Sequence, residues 1–278
     1  MIDKIKEASQ KLELLVRYQD TPEHPHEYSR IDNGKLLAGV STIADIAKSK
    51  DSGGFLAQWK VNEAIGYVLD NWKTDVGYNE EDIKQILKDA KYAHKVKGKE
   101  ATDIGTEIHA LLEEYVNHRI KGEEVVLCAD NEITNLLFAD DFLKWETDNK
   151  VEWLASELLV ADLENDVAGR LDGLAMVNGK LSIIDFKAAN SVPPSYFIQL
   201  VGYASCLKAM GIDVEDRIII RLPKTEKRKV WKDDIKQYKM EENKIEFIRP
   251  PTSWAFDKEV FLHCRQIIKW LNQKVINK

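Results

Sequence analysis

The residues best placed by type and spacing to do chemistry are Asp172, Asp185 and Lys187. Between them lies Asn178-Gly179, the strongest short-range signal for a two-residue β-hairpin, flanked by the apolar runs 167–177 and 180–188. Such a turn pairs residues whose numbers sum to 357, so Val177 opposes Lys180, Met176 opposes Leu181, and Asp172 opposes Asp185. Counted outward from the turn, the last is a non-hydrogen-bonded pair, the closer kind, with Cα atoms about 4.5 Å apart. Facing carboxylates destabilise a sheet, and a divalent cation with oxygen ligands is the simplest compensation. Strand alternation sets Leu181, Ile183, Asp185 and Lys187 on one face, so Lys187 projects beside the carboxylates. A carboxylate pair with a lysine can hold a metal, help deprotonate a water and stabilise an anionic transition state, which metal-assisted phosphodiester hydrolysis requires. The structural alternative is a salt bridge between Asp185 and Lys187, with Asp172 turned to solvent by a bulge.

The elements that must position these residues are legible as patterns. Helical periodicity covers 2–18, 55–69, 80–96 after the acidic start Asn79-Glu80-Glu81-Asp82, 104–120 and 131–146. The pattern then shifts to three strands at 151–161, 167–177 and 180–188. Pro193-Pro194 opens a helix that runs to about Met210 and is stopped by Gly211. A strand at 217–222, a strand pair near Val230 and at 245–248, and a closing helix over about 255–275 complete the order. This predicts an α/β fold with a central mixed β-sheet flanked by helices, because the hairpin forces antiparallel neighbours. An N-terminal helical region, 1–100, is expected to pack on a core formed by 101–278, the two making one compact unit.

Composition narrows the class. With 44% hydrophobic and 31% charged residues in 278, the chain can fill a core and is neither disordered nor fibrous. Its longest apolar runs fall far short of the roughly 20 residues that span a bilayer, and the charged amino terminus lacks a signal-peptide h-region. A cytoplasmic protein with no membrane partner is expected. The three cysteines, Cys128, Cys206 and Cys264, are widely spaced without CxxC, so they read as buried small hydrophobes. The net charge of −7 averages unlike halves: 217–278 holds 16 Lys and Arg against 8 Asp and Glu, whereas 1–216 holds 24 against 39. A polyanionic partner is therefore compatible with the acidic total.

The motifs together resemble a known family. Gly169-Arg170-Leu171-Asp172-Gly173, Ile183-Ile184-Asp185-Phe186-Lys187 and Gln199-Leu200-Val201-Gly202-Tyr203 resemble the PD-(D/E)XK nuclease core in its RecB-like branch. Upstream, Gly105-Thr106-Glu107-Ile108-His109 resembles the Gly-Thr-x-x-His helix of that branch. Leu37-Ala38-Gly39-Val40-Ser41-Thr42-Ile43 and Leu56-Ala57-Gln58-Trp59 are similar, more loosely, to the lead-in of phage-type and mitochondrial-genome-maintenance exonucleases. The resemblance implies a restriction-endonuclease-like core. It implies Mg²⁺ or Mn²⁺ held by His109, Asp172, Asp185 and the Phe186 carbonyl, with Glu157 as a further or second-metal candidate, and Lys187 as the catalytic lysine. Gln199 and Tyr203, four apart on one helical face, match the QxxxY helix that supports the site and the nucleic-acid strand. The Pro of the family name is Leu171 here. The cysteines of the iron–sulfur relatives are absent, as is a Walker A sequence, so neither a cluster nor ATP is expected.

DNA contacts are expected from Gln199, Tyr203 and Arg170, and from the basic stretch with Lys227, Arg228, Lys229 and Trp231, where the indole could stack on a base. A solvated hairpin loop is the bland reading of that stretch. Trp59 and Trp72 read as core residues, and His24 and His26 as part of a loop without a role. The expected function is a divalent-metal-dependent DNA nuclease, an exonuclease on single-stranded DNA or DNA ends, of bacterial or phage origin, with room for a recombination or replication protein as partner. Two alternatives stay open: an endonuclease of a defence or recombination system, and a non-catalytic nucleic-acid-binding protein of this fold.

Overall fold

The computed structural model describes residues 1–47, 50–123, 140–222, 227–232, 237–242 and 244–276, with backbone alone described at 50–56, 101, 104, 140, 227–232, 237–242 and 273–276. Cys128 and the first part of the helix expected at 131–146 lie outside the described residues. Contacts divide the chain into two units, Met1–Lys48 with Ile108–Lys278, and Ser49–Glu107. Among the described residues no helix is long and apolar enough to cross a membrane.

The first unit opens with helix α1 (Ile2–Glu13), an antiparallel meander of β1 (Val16–Gln19), β2 (Glu27–Arg30) and β3 (Leu36–Gly39), and a short α2 (Val40–Ala44). The helix expected over 2–18 therefore stops at Glu13, and three strands occupy a stretch that reads as helical. They are only four residues each, too short for alternation to show above the noise of composition. The second unit holds α3 (Lys50–Asn71), α4 (Glu80–Ala90) and the start of α5 (Ala93–Lys121). Asn79 and Asp82 form a capping box on α4. The helix expected at 80–96 ends early, at Ala90, where the Tyr92 amide bonds the Asp89 carbonyl at 2.9 Å in a tight i→i−3 turn. A new helix then runs from Ala93 through the whole of 104–120. Trp72 is 44% exposed and stacks on Tyr78, with ring centroids 4.9 Å apart, so it is not the core residue its periodicity suggests.

The rest of the first unit contains α6 (Asp140–Asp148), β4 (Glu152–Asp162), β5 (Val167–Val177), β6 (Lys180–Ala188), α7 (Pro194–Ala209), β7 (Asp216–Leu222), β8 (Lys227–Lys232), β9 (Gln237–Glu242), β10 (Glu246–Ile248) and α8 (Trp254–Ile276). The hairpin takes the expected register, from Val177 opposite Lys180 to Gly173 opposite Ile184. Asn178 (φ 51°) and Gly179 (φ 78°) both occupy the left-handed region that a type I′ turn demands. The helix α7 ends as its sequence predicts: Gly211 (φ 79°) closes a Schellman motif, with the Ile212 amide on the Leu207 carbonyl (2.9 Å) and its own amide on Lys208 (2.9 Å).

The sheet is mixed, in the order β1-β2-β3-β5-β6-β7-β10, with β4 on the other edge of β5. The β3/β5 and β6/β7 pairs are parallel. The strand pair expected near Val230 and 245–248 is different: β8 pairs with β9 in a separate ribbon, while β10 joins β7. There the buried Arg221 anchors Glu246 through Nε at 2.7 Å.

Apolar residues of α1, α2, α7 and α8 cover one face of the sheet, around Leu171, Leu174, Leu181 and Ile183. The α5 residues Ile108, Leu112, Tyr115 and Val116 are buried, as are Phe142 and Trp145 of α6, and Phe186 points away from Ile183 to lie against Trp153. Glu146 ties α5 and α6 to β4. Its buried carboxylate accepts from the Tyr115 hydroxyl and from Trp153 Nε1 at 2.5 Å. A Glu146→Ala change strands both donors and is expected to cost about 1–3 kcal/mol, seen as a lower urea midpoint. Glu146→Gln, which keeps an acceptor, should lose clearly less.

Candidate active site

Because β4 occupies one edge of β5 along its length, β6 and β3 must share the other. The β6 ladder ends at Gly173 and Ile184, and β3 takes over at Val167 and Ala168. The expected facing pair of Asp172 and Asp185 is one step past the end of that ladder. Instead, the Phe186 amide donates to Asp172 Oδ2 at 2.8 Å, so a side-chain carboxylate replaces a backbone carbonyl where the strands part. This bond uses the Phe186 N–H and leaves the Phe186 carbonyl, which the resemblance names as a metal ligand, outside the contact.

A second irregularity lies on the opposite edge. Glu157 of β4 stands across from Asp172 in the left-handed region (φ 50°), at a cost of about 1 kcal/mol for a residue with a side chain. Pairing resumes on either side of it, at Ser156 with Gly173 and at Leu158 with Leu171. The register is the same on both sides, so no residue is inserted at Glu157; the ladder's one shift lies between Trp153 and Ala155, and it is the left-handed backbone that re-aims Glu157. Arg170 clasps this turn, its Nε donating to the Glu157 carbonyl at 3.1 Å and lying 3.0 Å from Oε2.

These two departures bring His109, Glu157 and Asp172 together: one ligand atom from each lies within 4.8 Å of the others. His109 Nδ1 is 3.7 Å from Asp172 Oδ2. Asp185 is fully buried and paired with Lys187, whose Nζ is 2.9 Å from Oδ1 and 2.8 Å from Oδ2. The approach to Oδ2 lacks hydrogen-bond geometry, so that oxygen is left a buried acceptor without a donor. The salt bridge of the structural alternative is therefore real, yet Asp172 is not turned to solvent; its side chain is only 13% exposed. The ring of Tyr196 lies 5.1 Å from the Lys187 ammonium. Gln199 Nε2 donates to the Tyr203 hydroxyl at 2.8 Å, both residues buried on α7. Tyr203 in turn explains Gly169: a Cβ there would sit 2.7 Å from the tyrosine ring.

The electrostatics follow from burial. Loss of water and the charge of Asp172 push the Glu157 carboxyl up to about 7, against a smaller lowering by Arg170. Burial also raises Asp185; Lys187 opposes this and Asp172 adds to it. Burial would lower the Lys187 ammonium, but Asp185 and Asp172 outweigh it and hold the lysine charged. Burial drives the Tyr203 phenol far above its ordinary range. An imidazole, three carboxylates and a lysine so arranged can take up a hard divalent cation and present a fixed positive charge beside it.

Sequence reasoning did not single out Tyr18, Tyr196 or Glu146. Tyr196 and Glu146 carry no motif, and Tyr18 reaches the site only through the meander, packed 5.4 Å from the Arg170 guanidinium. The side chains of Lys227, Arg228, Lys229 and Trp231 lie outside the described residues, although their backbone forms β8. Cys206 and Cys264 are buried.

No family model matches the chain, and no curated protein matches it. Among solved structures it is similar to LHK-Exo in complex with dAMP, at 11% identity over 87% of this chain and 94% of that one, with a TM-score of 0.30. It is also similar to an alkaline exonuclease (LHK-Exo) from Laribacter hongkongensis, at 14% identity over 60% of this chain and 84% of that one, TM-score 0.27. A third is SSO0001, at 12% identity over 96% and 87%, TM-score 0.30. Likeness at this level specifies no shared chemistry. The class defined by the chain's own sheet is a mixed α/β protein with an acidic cluster at the fork of its central strands.

The raised Glu157 carboxyl has a definite pH signature without metal. An acid at about 4.5 unfolded and about 7 folded is penalised increasingly as pH rises through that window, because the unfolded chain releases its proton first. Relative to Glu157→Gln, the wild-type melting temperature in EDTA is expected to fall between pH 5 and pH 8; a constant gap would contradict this.

Proposed function

We propose that the protein is a divalent-metal-dependent DNA nuclease of the PD-(D/E)XK type, hydrolysing phosphodiester bonds as an exonuclease on single-stranded DNA or DNA ends. The observation that carries the reading is the convergence of His109, Glu157 and Asp172 within 4.8 Å, beside the Asp185–Lys187 pair. Two carboxylate oxygens and an imidazole nitrogen suit Mg²⁺ or Mn²⁺. The unbonded Asp185 Oδ2 fits a further ligand, and two or three carboxylates gathered in a buried site call for cationic compensation. In this reading His109, Glu157 and Asp172 hold the ion, with Asp185 and the Phe186 carbonyl as the ligands that the family resemblance adds.

A bound divalent ion supplies water activation and polarisation of the scissile phosphate. The chain's own groups do the rest. Lys187, fixed by Asp185 and the Tyr196 ring, offers a permanent positive charge to the extra negative charge of a pentavalent transition state, and orients a water by hydrogen bonding. Within α7 the Gln199–Tyr203 bond fixes the tyrosine hydroxyl, and the Tyr203 ring, packed over Gly169, sets α7 against β5 beneath Asp172. End-directed action is the reading favoured by the similarity of 37–43 and 56–59 to phage-type exonucleases.

The test is degradation of end-labelled single- and double-stranded DNA with Mg²⁺, Mn²⁺ or EDTA. Wild type should degrade one or both with metal and neither in EDTA, while Asp172→Asn, Asp185→Asn and Lys187→Ala fall by on the order of 10²-fold or more. Equal degradation by all four proteins refutes the assignment. Cleavage of circular single-stranded DNA replaces exonuclease by endonuclease. In the same series Mn²⁺ should raise the melting temperature of wild type but not of Asp172→Asn.

A further inference from the structure

Arg170 is held in an unusual way for a half-exposed arginine. Its backbone lies on the stretch of β5 between the β3 and β6 ladders. Its Nε is committed to Glu157, to the backbone carbonyl at 3.1 Å and to Oε2 at 3.0 Å. Its guanidinium carbon is 5.4 Å from the centre of the Tyr18 ring. Tyr18 is itself immobilised, packed on buried Tyr28 with centroids 5.0 Å apart and bonded through its hydroxyl to His26 Nδ1 at 3.1 Å. The guanidinium plane is thus fixed from one edge and one face. The guanidinium also meets the Tyr18 hydroxyl in a side-chain hydrogen bond, and 38% of the side chain is open to solvent.

Five N–H donors exceed what Glu157 and Tyr18 accept, so the solvent-open part of this rigid guanidinium can meet phosphate oxygens, and little side-chain entropy remains to be lost when it binds them. Stability does not account for the arrangement, since a half-exposed ion pair contributes little. Its location does: Glu157, which Arg170 grips, belongs to the cluster that includes Asp172 and His109. We propose that Arg170, clamped by Glu157 and Tyr18, is a phosphate-binding subsite for the nucleic-acid strand, taking a non-scissile phosphate next to the cluster. The strand then runs from the cluster across the N-terminal meander, past Tyr18 and His26. The proposal rests on the nuclease reading for the identity of the ligand as nucleic acid, and its test avoids catalysis.

The measurement is fluorescence anisotropy of a labelled oligothymidylate of roughly twelve residues in EDTA, across about 50–200 mM salt. Arg170→Ala is expected to weaken binding about tenfold and to lower the slope of log affinity against log salt by about 0.7, one single-strand phosphate contact. Arg170→Lys should keep the slope, since the charge stays, yet recover only part of the affinity, since the fork is lost. Wild-type affinity and slope in Arg170→Ala overturn the subsite. Full recovery by Arg170→Lys overturns the role of the fixed fork. Should Arg170→Ala fail to fold, Arg170→Gln and Arg170→Lys decide the question by the same two readouts. A protein that binds through Arg170 but degrades nothing with Mg²⁺ or Mn²⁺ would sink the nuclease reading and leave the subsite standing. Metal-dependent degradation with unchanged binding in every Arg170 variant would do the reverse.

Discussion

Where β6 parts from β5, a buried peptide N–H has to find an acceptor. Past Gly173 and Ile184 the ladder offers none, and the Phe186 amide takes the Asp172 carboxylate instead. The rest of the site depends on this exchange. It holds Asp172 at the fork rather than in solvent, keeps β6 close enough to deliver Asp185 and Lys187, and leaves the edge of β5 free for β3. An unmet buried amide would cost about as much as the hydrogen bond it lacks, so the carboxylate has a structural task before it has any chemical one.

The same fork concentrates charge. Asp172, Asp185 and Glu157 would repel one another in a dry site, and the chain answers with two cations held in different ways. Lys187 is bound inside, against Asp185 and Tyr196, where its charge is retained despite burial. Arg170 grips Glu157 from outside and leaves part of its guanidinium to solvent. One offsets charge inside the cluster, and the other does so at its solvent edge. Burial first, and then the charge of Asp172, still keep the Glu157 carboxyl displaced to about 7. A divalent ion is the natural complement.

Support for this arrangement comes from close packing that tolerates little change. Tyr203 presses on Gly169, and the Gln199 bond fixes the tyrosine's polar end. Glu146 joins the helix that carries His109 to the strand that carries Glu157, through Tyr115 and Trp153. Neither device touches the cluster, yet each sets the position of an element that does.

Much of this was legible in the linear chain because it is local. Asn178-Gly179 determines a left-handed turn, the turn determines the register, and the register with strand alternation puts Asp172, Asp185 and Lys187 on neighbouring strands. Pro193-Pro194 and Gly211 likewise bound α7 through backbone dihedrals that only their own residues set. His109, Gln199 and Tyr203 were found by motif, where spacing on one helical face is again a local property. What the sequence could not determine depends on distant partners. The meander of β1, β2 and β3 is built from four-residue strands that gain their identity by pairing. The fork arises because β3 competes with β6 for one edge of β5, a contest between residues more than a hundred positions apart. Glu157 joined His109 and Asp172, while Asp185 turned to Lys187, because a left-handed residue and a freed amide re-aimed side chains that alternation alone would have placed elsewhere. Tertiary structure alone brought Tyr18 to Arg170, since nothing in either residue's neighbourhood encodes the other.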